Sequence, residues 1–95
     1  MIIIESELFR QELSAIVHRI RRDKPTAARE FAQKLADQIR TLAVSPLRCR
    51  RSYYFDDDAI RDMIFRGYTI IYEIKSNTLT LITIFNQNLP VVTQP

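Results

Sequence analysis

The sequence predicts one α+β domain over residues 1–95, in the element order β-α-α-β-β-β: an N-terminal strand, an αα-hairpin and a three-stranded antiparallel meander. Three observations predict it. The stretch 59–86, AIRDMIFRGYTIIYEIKSNTLTLITIFN, is rich in β-branched and aromatic residues and is interrupted by two dipeptides suited to tight turns, Arg66-Gly67 and Ser76-Asn77. The stretch before it repeats its apolar residues at helical spacing and breaks once, at Asp23-Lys24-Pro25. The opening Met1-Ile2-Ile3-Ile4 is apolar, too short for a helix and suited to a strand at one edge of the sheet.

Taken in order, Glu5 or Ser6 opens the first helix. Leu8, Phe9, Leu13, Ile16, Val17 and Ile20 form its apolar stripe, with acids in the first turn and Arg19, Arg21 and Arg22 in the last, the order that complements the helix dipole. Pro25 suits the first position of a second helix, because its fixed φ is helical and its missing N–H is not needed there. Ala28, Phe31, Leu35, Ile39 and Leu42 are the second stripe, and Val44-Ser45-Pro46 ends it. The short connection makes the pair an antiparallel αα-hairpin. The stretch 47–58, LRCRRSYYFDDD, returns the chain to the sheet; its three consecutive aromatics are too apolar for a wholly solvated loop.

The meander fixes a register. Two-residue turns at Arg66-Gly67 and Ser76-Asn77 place Phe65 opposite Tyr68, Met63 opposite Ile70, Arg61 opposite Tyr72, Ile74 opposite Leu79, Tyr72 opposite Leu81 and Tyr68 opposite Phe85. Met63, Phe65, Tyr68, Ile70, Tyr72, Ile74, Leu79, Leu81 and Phe85 then share a core face under the helices. The other face carries Ile60, Ile64, Ile71, Ile82 and Ile84 among polar residues, more apolar than a solvated face needs, and it predicts a covering segment from this chain or another. Residues 88–95, with Pro90 and Pro95, predict an extended or partly disordered tail.

Composition excludes several functions. No stretch approaches the ~20 apolar residues of a membrane span. Acids in the first residues do not suit a secretory leader, and one cysteine, Cys49, makes no internal disulfide, so a cytoplasmic protein without membrane partners is expected. One glycine precludes a glycine-rich phosphate loop; one His and one Cys do not make a zinc site of the usual ligands, and neither metal nor cofactor is expected. His18 falls outside the apolar stripe. The net charge is +3, with arginines gathered at Arg48, Arg50 and Arg51 and joined in the sheet by Arg61 and Arg66. The cluster suits an anionic target or partner, or else pairs with Asp56, Asp57 and Asp58 next to it. Arg61 is placed on the core face, so its guanidinium must reach solvent, a carboxylate or a carbonyl.

The segment IRDMIFRGYTIIYEI over 60–74, with its arginine, hairpin and Tyr-x-x-x-Tyr strand, and KPTAAREFAQKLADQIRTLAVSP over 24–46, resemble the RelE/ParE superfamily of type II toxin–antitoxin toxins. The resemblance covers about residues 2–86 and implies a plasmid-stabilisation-type toxin with a cognate antitoxin as partner. It implies one of two targets. RelE-like members cut messenger RNA on the ribosome with basic residues of loop and sheet plus a Tyr or His near the end of the last strand. ParE-like members inhibit DNA gyrase without that set. Arg61 matches the family's sheet arginine, and Arg48, Arg50 and Arg51 stand where a ribonuclease would carry its loop basics. The last strand, however, runs out in Phe85-Asn86-Gln87-Asn88, and no His, Tyr, Arg or Lys follows Lys75. Phosphodiester cleavage needs proton transfer as well as charge stabilisation. The expected function is therefore ParE-like gyrase inhibition; the alternatives are a RelE-like ribonuclease acting through Arg48, Arg50, Arg51 and Arg61, or a non-toxic module that binds protein or nucleic acid. Target or antitoxin contacts are expected at Arg48, Arg50, Arg51, Arg61 and Arg66 and at Ile60, Ile64, Ile71, Ile82 and Ile84.

Overall fold

The computed structural model describes residues 1–86. Its elements are β1 (Ile2–Glu5), α1 (Glu7–Asp23), α2 (Pro25–Val44), β2 (Arg50–Arg51), β3 (Ile60–Phe65), β4 (Tyr68–Lys75) and β5 (Thr78–Asn86). The expected tail over 88–95 lies outside the described residues. The sheet order is β1-β5-β4-β3-β2, with β1 parallel to β5 and the other pairs antiparallel. The predicted order gains one short strand, β2, within the connection between helices and sheet. Arginines have little strand preference of their own, and this strand exists through its pairing with β3.

Local chemistry sets the helix ends. Ser6 caps α1: its hydroxyl accepts the N–H of Phe9 at 3.0 Å and donates to the Ile82 carbonyl at 2.7 Å, so one side chain starts the helix and ties it to β5. Lys24, extended as the residue before a proline prefers, closes α1 through its N–H to Ile20 O and hands over to Pro25. The apolar stripes Phe9 and Ile16 of α1 and Phe31, Leu35, Ile39 and Leu42 of α2 join Met63, Phe65, Tyr68, Ile70, Tyr72, Leu79, Leu81 and Ile84 of the sheet in one core.

The first hairpin forms as predicted, with φ of 50° at Arg66 and 83° at Gly67, both left-handed as a type I′ turn requires. The register Phe65–Tyr68, Met63–Ile70 and Arg61–Tyr72 follows. At the second hairpin the left-handed residue is Ser76, at φ 57°, rather than the Asn that favours that region. Pairing runs as predicted through Ile74–Leu79 and Tyr72–Leu81 and then shifts: Ile71 pairs with Thr83, and Tyr68 faces Asn86 instead of Phe85.

That shift is a β-bulge at Ile82, and it inverts the alternation beyond it. Ile84, expected on the second face, is 1% exposed in the core, whereas Phe85, expected in the core, turns to the second face, its ring 5.5 Å from that of Tyr54. Glu12 of α1 holds the displaced backbone: its Oε1 accepts the Ile84 N–H at 3.0 Å and the Thr83 hydroxyl at 2.6 Å. The second face is also less open than expected. Ile60 and Ile71 are buried, Ile82 is half-buried, and Ile64 alone of the five isoleucines is exposed.

Candidate functional site

The arginines gather where β2 meets β3. Arg50 pairs with Asp62 and Arg51 with Arg61 across the two strands, while Arg61 faces Tyr72 on its other side. Arg48 stands two residues before β2. Arg66 is remote, at the hairpin beyond the far end of β3, where it makes two hydrogen bonds of 2.8 and 3.1 Å to Glu30 of α2. That pair is mutual: the bond holds the Glu30 carboxyl below the usual glutamate value and raises the Arg66 guanidinium. The five arginines therefore do not form one surface.

Arg61 resolves the problem its position posed. Its guanidinium reaches carbonyls, with Nε donating to Asp58 O and Nη1 to Cys49 O, each at 3.0 Å. It clamps the two ends of the connection over 49–58 and makes no pair with a carboxylate among the described residues. Of the cluster that the neighbouring acids could neutralise, Arg51 alone is paired with them among the described residues, at 2.7 Å from Asp58 and 3.2 Å from Asp56. Arg48 donates to Thr41 Oγ1 at 2.7 Å and to Gln38 at 3.3 Å, which joins the loop to the last turns of α2.

Asp62 is the hub that the sequence reading missed. It is 2% exposed in the middle of β3. Its Oδ2 accepts the Tyr53 N–H at 3.0 Å and lies 3.4 Å from Arg50, whose guanidinium stacks 3.7 Å above the Tyr53 ring. Its Oδ1 is buried without a partner among the described residues. An acid inside the apolar run Ile60–Phe65 was the signal. The aromatics after β2 pack down as their composition implied, with Tyr54 edge-on to Phe85, yet Tyr53, Tyr54 and Phe55 all keep exposed surface. Arg50, Arg51, these rings and Ile64 make an aromatic and basic surface on the second face and its edge.

Of the phenols near the arginines, Tyr53 and Tyr54 stand exposed beside Arg50 and Arg51, whereas the strand neighbour of Arg61 is committed elsewhere. Tyr72 is buried and donates to Pro46 O at 2.7 Å; burial first, then the neighbouring Cys49, pushes its hydroxyl far above the ordinary tyrosine value. His18 is on the exposed side of α1, beside Arg21. Among the described residues no group of His, Cys, Asp and Glu is placed to hold a metal ion, and no helix is long and apolar enough to cross a membrane.

An αα-hairpin on one face of a five-stranded sheet, with a parallel first strand at one edge and arginines at the other, is the α+β fold of RelE/ParE-like toxins. The chain belongs to the ParE toxin family of type II toxin–antitoxin systems, parDE, whose family model matches residues 3–88. Its fold is similar to a solved structure described as the chromosomal ParDE TA system from P. aeruginosa, with a TM-score of 0.73 and 16% identity over 90% of this chain and 95% of that one. Comparison with curated protein sequences gave no match.

Proposed function

We propose that this toxin inhibits DNA gyrase without an enzymatic step and is neutralised by a cognate antitoxin from the same operon. Membership of the ParE family over residues 3–88 carries the reading. The arrangement of titrating groups supports it. Arg61 is tied to the loop by two of its five N–H donors, and Tyr72, the phenol nearest to it across the strands, is buried with its own donor occupied. Arginine stabilises charge but does not exchange a proton near neutral pH, and a missing acid or base costs about 10²–10⁴ in rate. The aromatic and basic surface around Tyr53, Tyr54, Arg50 and Ile64 is the proposed target contact.

The experiment induces the toxin without its antitoxin and follows two readouts. Supercoiling by purified gyrase should fall with added toxin, and cells should filament. Primer extension on cellular transcripts should show no new ends. Discrete cuts within codons, appearing within minutes and lost in Arg61→Ala, would establish the ribosome-dependent ribonuclease instead.

A further inference from the structure

The two edges of the sheet are finished differently. At one, β2 is two residues long and carries Arg50 and Arg51, so a second copy laid against it would meet like charges. At the other, β1 is Ile-Ile-Ile-Glu, with no Lys, Pro or bulge to discourage pairing, and no strand lies beyond it among the described residues. Its outward groups follow from its bonds to β5. The N–H of Ile2 donates to Asn77 O and that of Ser6 to Leu81 O, each at 2.9 Å. Alternation along the strand turns Ile4 the same way, and turns the N–H and C=O of Ile3 and Glu5 to the open edge. The side chains alternate too. Ile3 packs on the core, whereas Ile2 and Ile4, on the second face, are 59% and 47% exposed. An unpaired backbone row and two bare isoleucines thus occupy the same short strand.

We propose that β1 pairs antiparallel with β1 of a second copy of this chain, about a two-fold axis at Ile3, so that one sheet runs through both copies. The two Ile3 residues then exchange their outward N–H and C=O groups, and each Glu5 N–H meets the Met1 carbonyl of the other copy. Ile2 of each chain falls opposite Ile4 of the other, in a pair without direct backbone bonds, the kind whose side chains stand closest. The strand is its own complement. Its apolar side chains meet apolar side chains, and its one charge, Glu5, stands about 13 Å along the strand from its copy, beyond the ~8 Å screening length at physiological salt. That symmetry favours a second copy over an unrelated segment. Nucleic acid finds no cation on this strand. The contact is smaller than a standard interface, so the dimer is weak, with a dissociation constant on the order of 10⁻⁴ M.

Sedimentation equilibrium of the full-length toxin from about 10 µM to about 1 mM brackets that constant, and the mass should rise from one chain toward two. Ile2→Lys/Ile4→Lys sets lysines opposite each other at both pairs and should weaken association at least about tenfold. Ile2→Lys/Ile4→Glu sets opposite charges at the same two pairs and should keep association within about threefold of wild type. Both positions are exposed, and melting temperatures check the fold. If a variant unfolds, amide exchange of the wild type decides: protection at Ile3 and Glu5 should rise with concentration while Ile2 and Ile4 stay unchanged. A mass of one chain at every concentration overturns the proposal. So does a dimer indifferent to the double lysine, which lies on another face, or one lost equally in both variants, which has another register. Protection of the Ile3 and Glu5 amides only when the antitoxin from the adjacent reading frame is added makes that antitoxin the occupant, and overturns the proposal as well.

Discussion

Removing the Arg61 side chain tests whether the arginine loop is built into the fold. In Arg61→Ala the carbonyls of Cys49 and Asp58 lose a charged donor. Hydrogen bonds to charged groups are worth about 1.5–3 kcal/mol each when shielded. The Cys49 bond is partly buried and merits that range; the Asp58 bond is exposed, so water replaces most of it. The expected loss is about 2–4 kcal/mol, most of it from Cys49. With a urea slope of about 1–3 kcal/mol/M, the midpoint falls by roughly 0.7–4 M. Arg61→Lys keeps the charge but cannot span both carbonyls, and should lie between. The chain lacks tryptophan, so far-ultraviolet circular dichroism is the probe. A loss below about 0.5 kcal/mol, the range of an ordinary surface change, would refute the clamp. Toxicity must then be compared per folded molecule, because lost folding alone would lower it.

Glu12→Ala leaves the Ile84 N–H and the Thr83 hydroxyl without their acceptor, and should cost about 1–3 kcal/mol with faster amide exchange at Ile84; equal exchange in variant and wild type would mean that the bulge holds itself. Glu30 has a folded pKa below its unfolded value, so its contribution is present above the ordinary value of 4.5 and is lost as pH falls below it. Glu30→Gln should therefore narrow its stability gap from wild type between neutral pH and pH 3, and added salt should narrow it too; a gap independent of both would remove the ion pair from the account.

Much of this fold was legible because local chemistry and global packing agree in it. Gly67 and the Ile/Tyr pattern around it set a register that holds from the turn to Arg61–Tyr72, and Pro25 marks the join between helices. The bulge escaped a strictly alternating reading, although Leu81-Ile82 breaks the alternation and Thr83-Ile84 resumes it one place out of step. The candidate site was legible as a cluster and opaque in its bonds. Arg61 is held by carbonyls, which every residue carries, so no residue type announces them. The triple aspartate suggested a common partner for the arginines, yet its bonds go to Arg51 and the turn, while Arg50 leans on an acid twelve positions along.

The parallel pairing of β1 with β5 makes the toxin's completion an event in time. Ser6 bonds to Ile82 across 76 positions, so the strand that leaves the ribosome first waits for nearly the last part of the domain. At synthesis rates of about 5–20 residues per second, the wait is roughly 4–15 s. During that interval the three isoleucines of β1 lack their edge, and Ser6 and Glu12 lack the β5 groups that fasten α1 to the sheet. A chain cut short before β5 thus contains every arginine of the loop but no means of closing the sheet around its first strand.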